Sequence, residues 1–403
     1  MRYKTKLILI FFITVSFSYA QSNTSSPYSR FGIGELDNSF SAYFQSMGDA
    51  SIALLNNKYI NPNNPASYSL ISSKKFILHT SLKNNTTLIK SNIDNEFYNN
   101  TLLSSLIIGF PINQKTSFSS GFIPFSHSGY DLYERDSIFQ ADKFYKGSGG
   151  LSKLYFGSSY KISNKLSLGV NVSYLFGSIN RNKSIIFDDE SIFHSRSTDR
   201  ISITGFDYDF GLLFKDKLND NDFSFAIVLN NENKISSKRY SLNESFEFSG
   251  FNELAKDTFL NNTVRGDVLL PEFLDFGFSY NFNSLMIIAE YSVQDWINYS
   301  FFGEKSELIN SSKFKLGFEY FKNGNNSSKF SSNLKYRFGF YNHNTPIEIN
   351  NNTINEKAVS LGMSMPNIKS RTIYDLSLLF GNRGTTNDNL INEKFFEIAL
   401  SIN

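Results

Sequence analysis

Charged residues recur at every second position in several stretches that are otherwise apolar or aromatic. Neighbouring side chains on a strand point to opposite faces, so these charges share one face and the aromatic residues share the other. On an enclosed face, carboxylates, lysines and arginines form ion pairs and hydrogen bonds. The residues placed in this way are Asp207, Asp209, Glu290, Lys315, Glu319, Lys335, Arg337 and Glu397. We expect them to pair with one another, or with Arg30, Glu35 and Asp49, inside a polar lumen; the alternative is an ion pathway.

Catalytic and metal chemistry find no support in the sequence. The histidines have no metal-ligand spacing, and Ser126 and Ser128 point away from the face that His127 uses if this stretch is a strand. With no cysteine, there is neither a disulfide framework nor a lipid-anchor cysteine. The formal net charge of +2 gives no basic footprint for nucleic acid. We therefore predict no enzyme activity, no cofactor and no metal. The four histidines are His79, His127, His194 and His343.

The elements that must position these charges are long alternating strands. In LSLGVNVSYLFG at 166–177 and FEIALSI at 396–402, apolar side chains fall at every second residue. A soluble sandwich shows the same alternation, but strands of about 10 residues joined by short turns favour a membrane barrel. A sheet exposed to lipid must close so that no edge is unpaired. We predict an all-β fold, a closed antiparallel transmembrane β-barrel of about 14 strands over residues 73–403. Within it, 231–270 is either a long loop or two strand extensions, and 181–200, 231–262 and 341–356 are predicted polar loops.

Residues 1–20 have a basic start, an apolar middle from Leu7 to Val15 and small residues at the end. This pattern is typical of a secretory signal peptide, and the apolar stretch is short for a spanning helix, the alternative interpretation. No later stretch is apolar enough to span a membrane as a helix. The sequence therefore predicts export, with the bacterial outer membrane as the destination and its lipid as a partner.

Residues 21–72 do not alternate, and we expect them to form a plug (hatch) inside the barrel, since wide barrels are often filled. The run INPNNPASYSL contains Asn61-Pro62 and Asn64-Pro65-Ala66. Asn61-Pro62 favours a turn, and Asn64 can cap a helix whose first residue is Pro65. The alternative is a plain linker.

The order of several motifs resembles the FadL long-chain fatty-acid transporter family of outer-membrane barrels. These motifs are GDASIAL followed by NPNNPAS, LLPEFLDFGFSYNFNSLMIIAEYSVQDWINY at 269–299, and RFGFYNHNTPIEINNNTINEKAVSLGMSMP at 337–366. The start of the mature chain, SSPYSRFGIGEL, resembles members from Bacteroidota. The resemblance implies that hydrophobic molecules bind near the plug and leave through a kink in the third strand. The matching stretch is 121–132, so a lateral opening is predicted at Pro124 and Gly129, with an ordinary bulge as the alternative.

Two functions remain open. The first is transport of small hydrophobic molecules across the outer membrane, favoured by an apolar tunnel beside Phe31, Ile33, Ile52 and Leu54. The second is a structural or accessory barrel that binds other outer-membrane or periplasmic proteins in a β-barrel assembly machinery or a secretion complex. A lumen blocked by the plug and by charge pairs favours the second function. Trp296, Tyr299 and Phe301 are predicted to lie in an interfacial aromatic girdle.

Overall fold

The fold is described from a computed structural model of the chain. It describes residues 26–403 apart from 38, 73–74, 93, 322–333, 368–369 and 371, so the predicted signal peptide lies outside the described residues. Twenty strands make up most of this part of the chain, and its few helices have one or two turns. No helix in the described ranges has both the length and the apolar character needed to cross a membrane.

The strands form a single sheet in which nearly all neighbours in sequence are antiparallel neighbours in space. The first half of the chain contributes β1 (Glu35–Leu36), β2 (Ile77–Lys90), β3 (Asn95–Pro111), β4 (Thr116–His127), β5 (Tyr130–Asp136), β6 (Ala141–Lys161), β7 (Leu166–Phe187), β8 (His194–Leu218), β9 (Asn221–Asn230) and β10 (Asn233–Ser249). The second half contributes β11 (Asn252–Leu270), β12 (Phe273–Phe282), β13 (Leu285–Gln294), β14 (Ser300–Phe301), β15 (Glu304–Lys305), β16 (Ser311–Phe321), β17 (Lys335–Ile349), β18 (Asn352–Pro366), β19 (Ile373–Gly384) and β20 (Asn392–Ile402).

The sheet closes into a barrel because the first wall strand, β2, pairs with the last, β20, from Thr80↔Ile402 to Lys90↔Asn392. In the described chain the wall has fourteen strand positions, and three of them hold two strands end to end. Strands β4 and β5 both pair with β6, and strands β9 and β10 both pair with β8. The third position holds β12, which pairs with β9, and β11, which pairs with β10. The prediction of a closed antiparallel barrel of about 14 strands is confirmed. Closure gives the backbone N–H and C=O groups of the first and last wall strands hydrogen-bond partners, which the hydrocarbon core of a membrane cannot provide.

The three predicted polar loops are largely wrong. Residues 233–249 and 252–270 form the hairpin β10–β11, and β7, β8, β17 and β18 run far into the other two stretches. Backbone pairing with a neighbouring strand holds these polar sequences in sheet geometry, although their side chains alone do not indicate strands. Of the two interpretations left open for 231–270, the structure has the strand extensions.

Apolar side chains cover the outside of the barrel and polar side chains line the inside. On β8, Phe206, Tyr208 and Phe210 are exposed outward while Asp207 and Asp209 are buried in the interior. The same alternation holds along β9, β12 and β20. A belt of exposed aromatic and aliphatic side chains suits lipid, and the charges predicted to share the other face do so.

Residues 26–72, named here the inner segment, lie inside the barrel. Among the described residues of this segment, the secondary structure consists of 3₁₀ helices at Pro27–Arg30 and Pro65–Leu70, the strand β1, and one α-helical turn, α1 (Ala42–Gln45). An apolar cluster forms around α1 and the chain that follows it, and it reaches the inward face of the wall. The largest fully buried side chains that the inner segment contributes to this cluster are Tyr43, Met47, Ile52, Ile60 and Tyr68.

The predicted aromatic girdle is also wrong. Trp296 and Tyr299 are buried and lie in an interior cluster with Ile33 of the inner segment. Phe301 is partly buried, with the Arg181 guanidinium 5.3 Å from its ring centre. The loop after β13 folds over the lumen, so these residues contact the inner segment rather than lipid headgroups.

Candidate lumen site between the inner segment and the barrel wall

The two Asn-Pro pairs fold the inner segment back on itself. The Asn61 amide donates to the Ser51 carbonyl (2.8 Å), and the Asn64 amide donates to the Ile52 carbonyl (2.6 Å). Asn64 is also the N-cap of the helix Pro65–Leu70, because its side-chain oxygen accepts from the Ala66 N–H (3.0 Å). Pro65 occupies the first helical position, where no amide donor is needed. These bonds tie the Asn61–Ala66 run to Ser51–Ile52 and satisfy buried polar groups.

Glycines in the wall make room for this run. A Cβ at Gly169 of β7 would lie 2.2 Å from the Pro65 carbonyl carbon, and one at Gly211 of β8 would lie 2.3 Å from the Asn64 side-chain oxygen. Beside them, the Asn171 amide donates to the Pro62 carbonyl (2.9 Å). The wall at β7 and β8 is therefore shaped for the Asn-Pro run.

Glu290 of β13 fastens the preceding part of the inner segment. One of its oxygens accepts from the backbone N–H groups of Ser51 (2.8 Å) and Ile52 (3.0 Å). Its other oxygen accepts from the Lys315 ammonium of the adjacent strand β16, and both side chains are buried. A charged acceptor with two backbone donors and a buried counter-ion forms hydrogen bonds stronger than neutral ones.

Arg337 of β17 holds α1. Its guanidinium lies 4.1 Å from the centre of the Tyr43 ring and donates to Glu319 (2.9 Å) of β16. It also reaches Asp375 (3.3 Å) of β19, whose carboxylate accepts from the Tyr59 hydroxyl (3.0 Å). A buried arginine with several acceptors and an aromatic face is fixed in orientation. Lys335, at the edge of this group, adds an ion pair to Glu319 (2.6 Å).

The other predicted charges have separate partners. Asp207 and Asp209 accept from the Asn230 amide, and Lys153 lies 3.5 Å from Asp209; these are contacts within the wall. The Gln45 amide of α1 donates to Glu397 (2.5 Å).

The three charged residues of the inner segment that were predicted to pair with the wall have different surroundings. Glu35 pairs with Arg383 of β19. Arg30 lies with its guanidinium 5.0 Å from the centre of the Phe31 ring. Asp49 is buried, and its Oδ1 has no hydrogen-bond partner among the described residues.

Sequence reasoning missed a set of serines on the inward face of the wall. Their hydroxyls form hydrogen bonds with backbone groups of the inner segment. For example, Ser105 donates to the Phe40 carbonyl (2.6 Å), and Ser401 accepts from the Ala42 N–H (2.8 Å). The alternation of each strand could have identified these serines, because it places them on the inward face. The wall serines that act in this way are Ser105, Ser126, Ser224, Ser279, Ser360 and Ser401.

The wall is incompletely paired between β3 and β4. Their ladder runs from Pro111↔Ser117 to Leu106↔Phe122 and then ends. Beyond that point β4 pairs on this side with β1 of the inner segment (Glu35↔His127). Pro124, predicted at the lateral opening, stands at an irregularity in the β4–β6 ladder. Gly129, the other predicted residue, lies between β4 and β5, where its carbonyl accepts from the Ser26 N–H (3.0 Å).

Asp37 spans this gap. Its carboxylate lies 3.0 Å from the Lys83 ammonium of β2 and 3.4 Å from Nε2 of His127 on β4. Burial alone would raise the pKa of Asp37, but Lys83 and His127 outweigh that effect and hold the pKa well below its usual value. A cavity of about 70 Å³ adjoins Asp37, Lys83 and His127 and is lined mainly by residues of β2, β3 and the inner segment.

A cavity of about 290 Å³ with many apolar lining residues lies between the inner segment and the wall. Phe31 and Ile33 line it, together with Asp49 and buried charges of the wall such as Glu290 and Lys313. Ile52 and Leu54, expected beside a tunnel, are buried in the apolar cluster instead. In the described ranges no cluster of histidine and acidic side chains could hold a metal ion.

The family of the chain is decided by a match over nearly its whole length. The BamG family model matches residues 2–403. The chain belongs to the BamG family. A search of curated proteins finds no match.

Solved structures similar to this BamG-family chain are FadL-type barrels. The Pseudomonas putida toluene transporter TodX shares 14% identity over 92% of this chain and 98% of its own, with a TM-score of 0.59. A Pseudomonas aeruginosa FadL homologue shares 13% identity over 92% and 99%, with a TM-score of 0.62. At this identity the likeness shows the fold, an outer-membrane type of β-barrel. These neighbours are a toluene transporter and a FadL homologue, and neither is named as an enzyme.

Proposed function

We propose that this BamG-family chain is a non-transporting accessory barrel of an outer-membrane complex, of the β-barrel assembly or secretion type, and that its inner segment is a permanent plug. The observation that carries the proposal is the attachment of the inner segment to the wall by buried charges. Glu290 with Lys315 fastens Ser51 and Ile52, and Arg337 holds Tyr43. Withdrawing the segment would leave the wall pairs in place but would break the bonds from Ser51 and Ile52 to Glu290 and the contact of Arg337 with the Tyr43 ring. Hydrogen bonds to charged groups contribute about 1.5–3 kcal/mol each.

The lining of the lumen supports the same proposal. A route for hydrophobic molecules should present an apolar surface with few polar groups. The cavity of about 290 Å³ has many apolar lining residues, but Asp49, Lys313, Glu356 and Arg383 also line it. Membership of the BamG family is compatible with a subunit of a membrane complex. Its partners would be other outer-membrane or periplasmic proteins, with surrounding lipid on the apolar belt; nucleic acid and cofactors have no role.

The remaining sequence predictions complete this proposal. Residues 1–20 serve as the signal peptide for export, residues 21–72 as the plug, and residues 73–403 as the barrel. The Bacteroidota origin suggested by SSPYSRFGIGEL belongs here as well. The chain is proposed not to be an enzyme.

Affinity purification tests the proposal. A tag inserted at the exposed turn Asn350–Asn351 leaves the wall and the inner segment unchanged. Native membranes are solubilised in mild detergent, and proteins that co-purify are quantified by mass spectrometry against an untagged strain. We expect stoichiometric recovery of a defined set of envelope proteins. Recovery of the tagged barrel alone, with lipid, would contradict an accessory role.

A second function, lateral passage of small hydrophobic molecules, is favoured by one specific observation. The β3–β4 ladder ends at Leu106↔Phe122, and Pro124 and Gly129 lie just beyond. TodX, whose fold this chain shares, is a toluene transporter. Entry here would require β1 to leave β4 and Asp37 to leave Lys83.

Uptake of radiolabelled toluene by cells separates the two functions. Asp37→Ala is compared with Asp131→Ala, a change at an exposed residue of β5. A transporter should raise uptake over cells lacking the protein, and the Asp37 change should alter that rate while the control does not. A plugged accessory barrel leaves uptake equal in all strains.

A further inference from the structure

The hairpin β10–β11 rises above the part of the barrel that faces lipid. Outward side chains on β8 change from Arg200, Ser202 and Thr204 to the exposed aromatic residues that begin with Phe206. Strand β10 pairs with β8 only from Ser236↔Thr204 upward. The hairpin therefore stands in water beyond the belt.

The end of the barrel at which the hairpin stands follows from the lengths of the turns. The opposite end carries tight turns, such as those joining β8 to β9 and β12 to β13, with Asn219, Asp220 and Asn283 in the left-handed conformation. In bacterial barrels the short turns face the periplasm and the long extensions face outward. The hairpin thus projects outside the cell.

Strand β11 has a free backbone edge along most of this hairpin. One side of β11 pairs with β10 over its whole length. On the other side, the described chain pairs it only with β14, at Val268 and Leu269, and through the Phe302 N–H to the Asp267 carbonyl (2.9 Å). Every residue from 252 to 265 is exposed. Exposed edge strands are ready templates for pairing with another chain.

Apolar side chains accompany this edge although lipid is not there to cover them. Phe251 is completely exposed at the tip, and Phe259 is 68% exposed. Leu260 and Val264 are each close to 40% exposed. The register between β10 and β11 skips Phe259 and Lys256, and these two irregularities disrupt the edge near the tip. Residues Leu260–Asp267 stay in regular register with β10. Bulges usually protect an edge, so the regular eight-residue stretch is the accessible part.

We propose that the free edge of β11 over Leu260–Asp267, named here the β11 edge, accepts an extended segment of a second envelope protein as an added antiparallel strand outside the cell. The unpaired N–H and C=O groups specify a strand as the occupant, and Leu260 and Val264 supply contacts for its side chains. The edge already binds β14 antiparallel at its base, so the added strand continues an existing ladder.

A second copy of this chain does not fit the β11 edge. Copies in one membrane point the same way, so two such edges could meet only with their strands parallel. Antiparallel pairing between copies would require one barrel to be inverted in the membrane. The occupant is therefore a different protein, and the inference rests on the proposed function only in requiring that such a partner exists.

Single-cysteine crosslinking tests this proposal cleanly because the chain has no cysteine of its own. Asn261→Cys, Thr263→Cys and Arg265→Cys are coupled in intact cells to a maleimide–benzophenone and irradiated. We expect all three to crosslink one protein. The crosslinked position should move toward that protein's N-terminus as the probe moves toward Arg265, because the strands are antiparallel. Ser202→Cys, exposed on β8, is the matched control and should give no such crosslink.

A second variant measures the contribution of the β11 edge to binding. Leu260→Lys with Val264→Lys adds the charges that protect natural edge strands, and it should lower recovery of the partner at least tenfold in the tag purification. Crosslinks to another copy of this chain, crosslinks without ordered register, or undiminished recovery would each overturn the inference. Failure of the proposed function looks different, since no protein would then co-purify even with the unmodified chain.

Discussion

At the scale of single residues, Glu290 attaches the inner segment to the wall through two backbone hydrogen bonds. Glu290→Gln removes the counter-charge of buried Lys315 and weakens the bonds to Ser51 and Ile52. Loss of one partner from a buried pair costs about 3–5 kcal/mol. We expect the guanidinium unfolding midpoint to fall, measured by the fluorescence of Trp296, the only tryptophan in the chain. Glu304→Gln, an exposed change on β15, should leave the midpoint unchanged.

The double variant Glu290→Gln with Lys315→Gln separates a charge effect from a general defect. Removing both charges leaves neither member of the pair without its counter-charge, so part of the lost stability should return. If the double variant is as unstable as the sum of the two single variants, the two side chains are not coupled and the ion pair assigned to Glu290 and Lys315 is wrong.

Asp37 gives a prediction about pH. Its pKa lies below the usual value because Lys83 and His127 outweigh the effect of burial. The unfolded carboxyl takes up its proton near pH 4, above the pKa of the folded state. The stability that Asp37 contributes is therefore complete above about pH 4 and is lost as the pH falls toward the folded pKa.

The unfolding midpoints of the unmodified chain and of Asp37→Asn measure this effect. The difference between them should be smaller at pH 3 than at pH 5. Asp131→Asn, at an exposed position of β5, provides the matched comparison. A difference that grows between pH 5 and pH 3 would mean that the Asp37 carboxyl is not held in its charged form.

At the scale of elements, the fit between the Asn-Pro run and strands β7 and β8 depends on missing side chains. Gly169→Ala would bring a Cβ within 2.2 Å of the Pro65 carbonyl carbon, so the run must shift and its caps weaken. We expect a loss of about 1–3 kcal/mol, typical of overpacking, and faster proteolysis within the inner segment. Gly303→Asn is the control, since nothing lies within 4 Å of its Cβ position and asparagine tolerates its positive φ. Equal proteolysis of the two variants would show that the run is not held at β7.

The sequence predicted the barrel elements well because strand geometry has a period of two that can be read without tertiary information. The helix at Pro65 was predictable for a similar reason, since Asn64 and Pro65 act locally. The partners of the lumen charges were not predictable, because they depend on the register between strands that are far apart in sequence. Arg383, for example, meets Glu35 and Glu356 only through the β18–β19 ladder and the fold of the inner segment.

Aromatic residues show the same limit. Phe206 lies within a strand-like sequence and Trp296 follows one. Phe206 faces lipid, whereas Trp296 is buried over the lumen. A side chain in a strand has its face set by alternation, whereas one in a loop has it set by the fold of that loop. The aromatic girdle was therefore predicted at the position where periodicity no longer applies.

At the scale of the whole molecule, the closed wall and its apolar belt determine where a charge is tolerated. Phe278 of β12 is exposed outward, between Phe225 of β9 and Ala289 of β13, within the belt. Phe278→Arg should reduce the free energy of folding into lipid vesicles by about 2–4 kcal/mol, as expected for a charge near the midplane. Ser236→Arg, on the outward face of β10 opposite Thr204, should change it by no more than about 1 kcal/mol. Because both sites are outward and exposed, an equal cost would place β10 in the membrane. That result would contradict both the height of the belt and the exposure of the β11 edge to water.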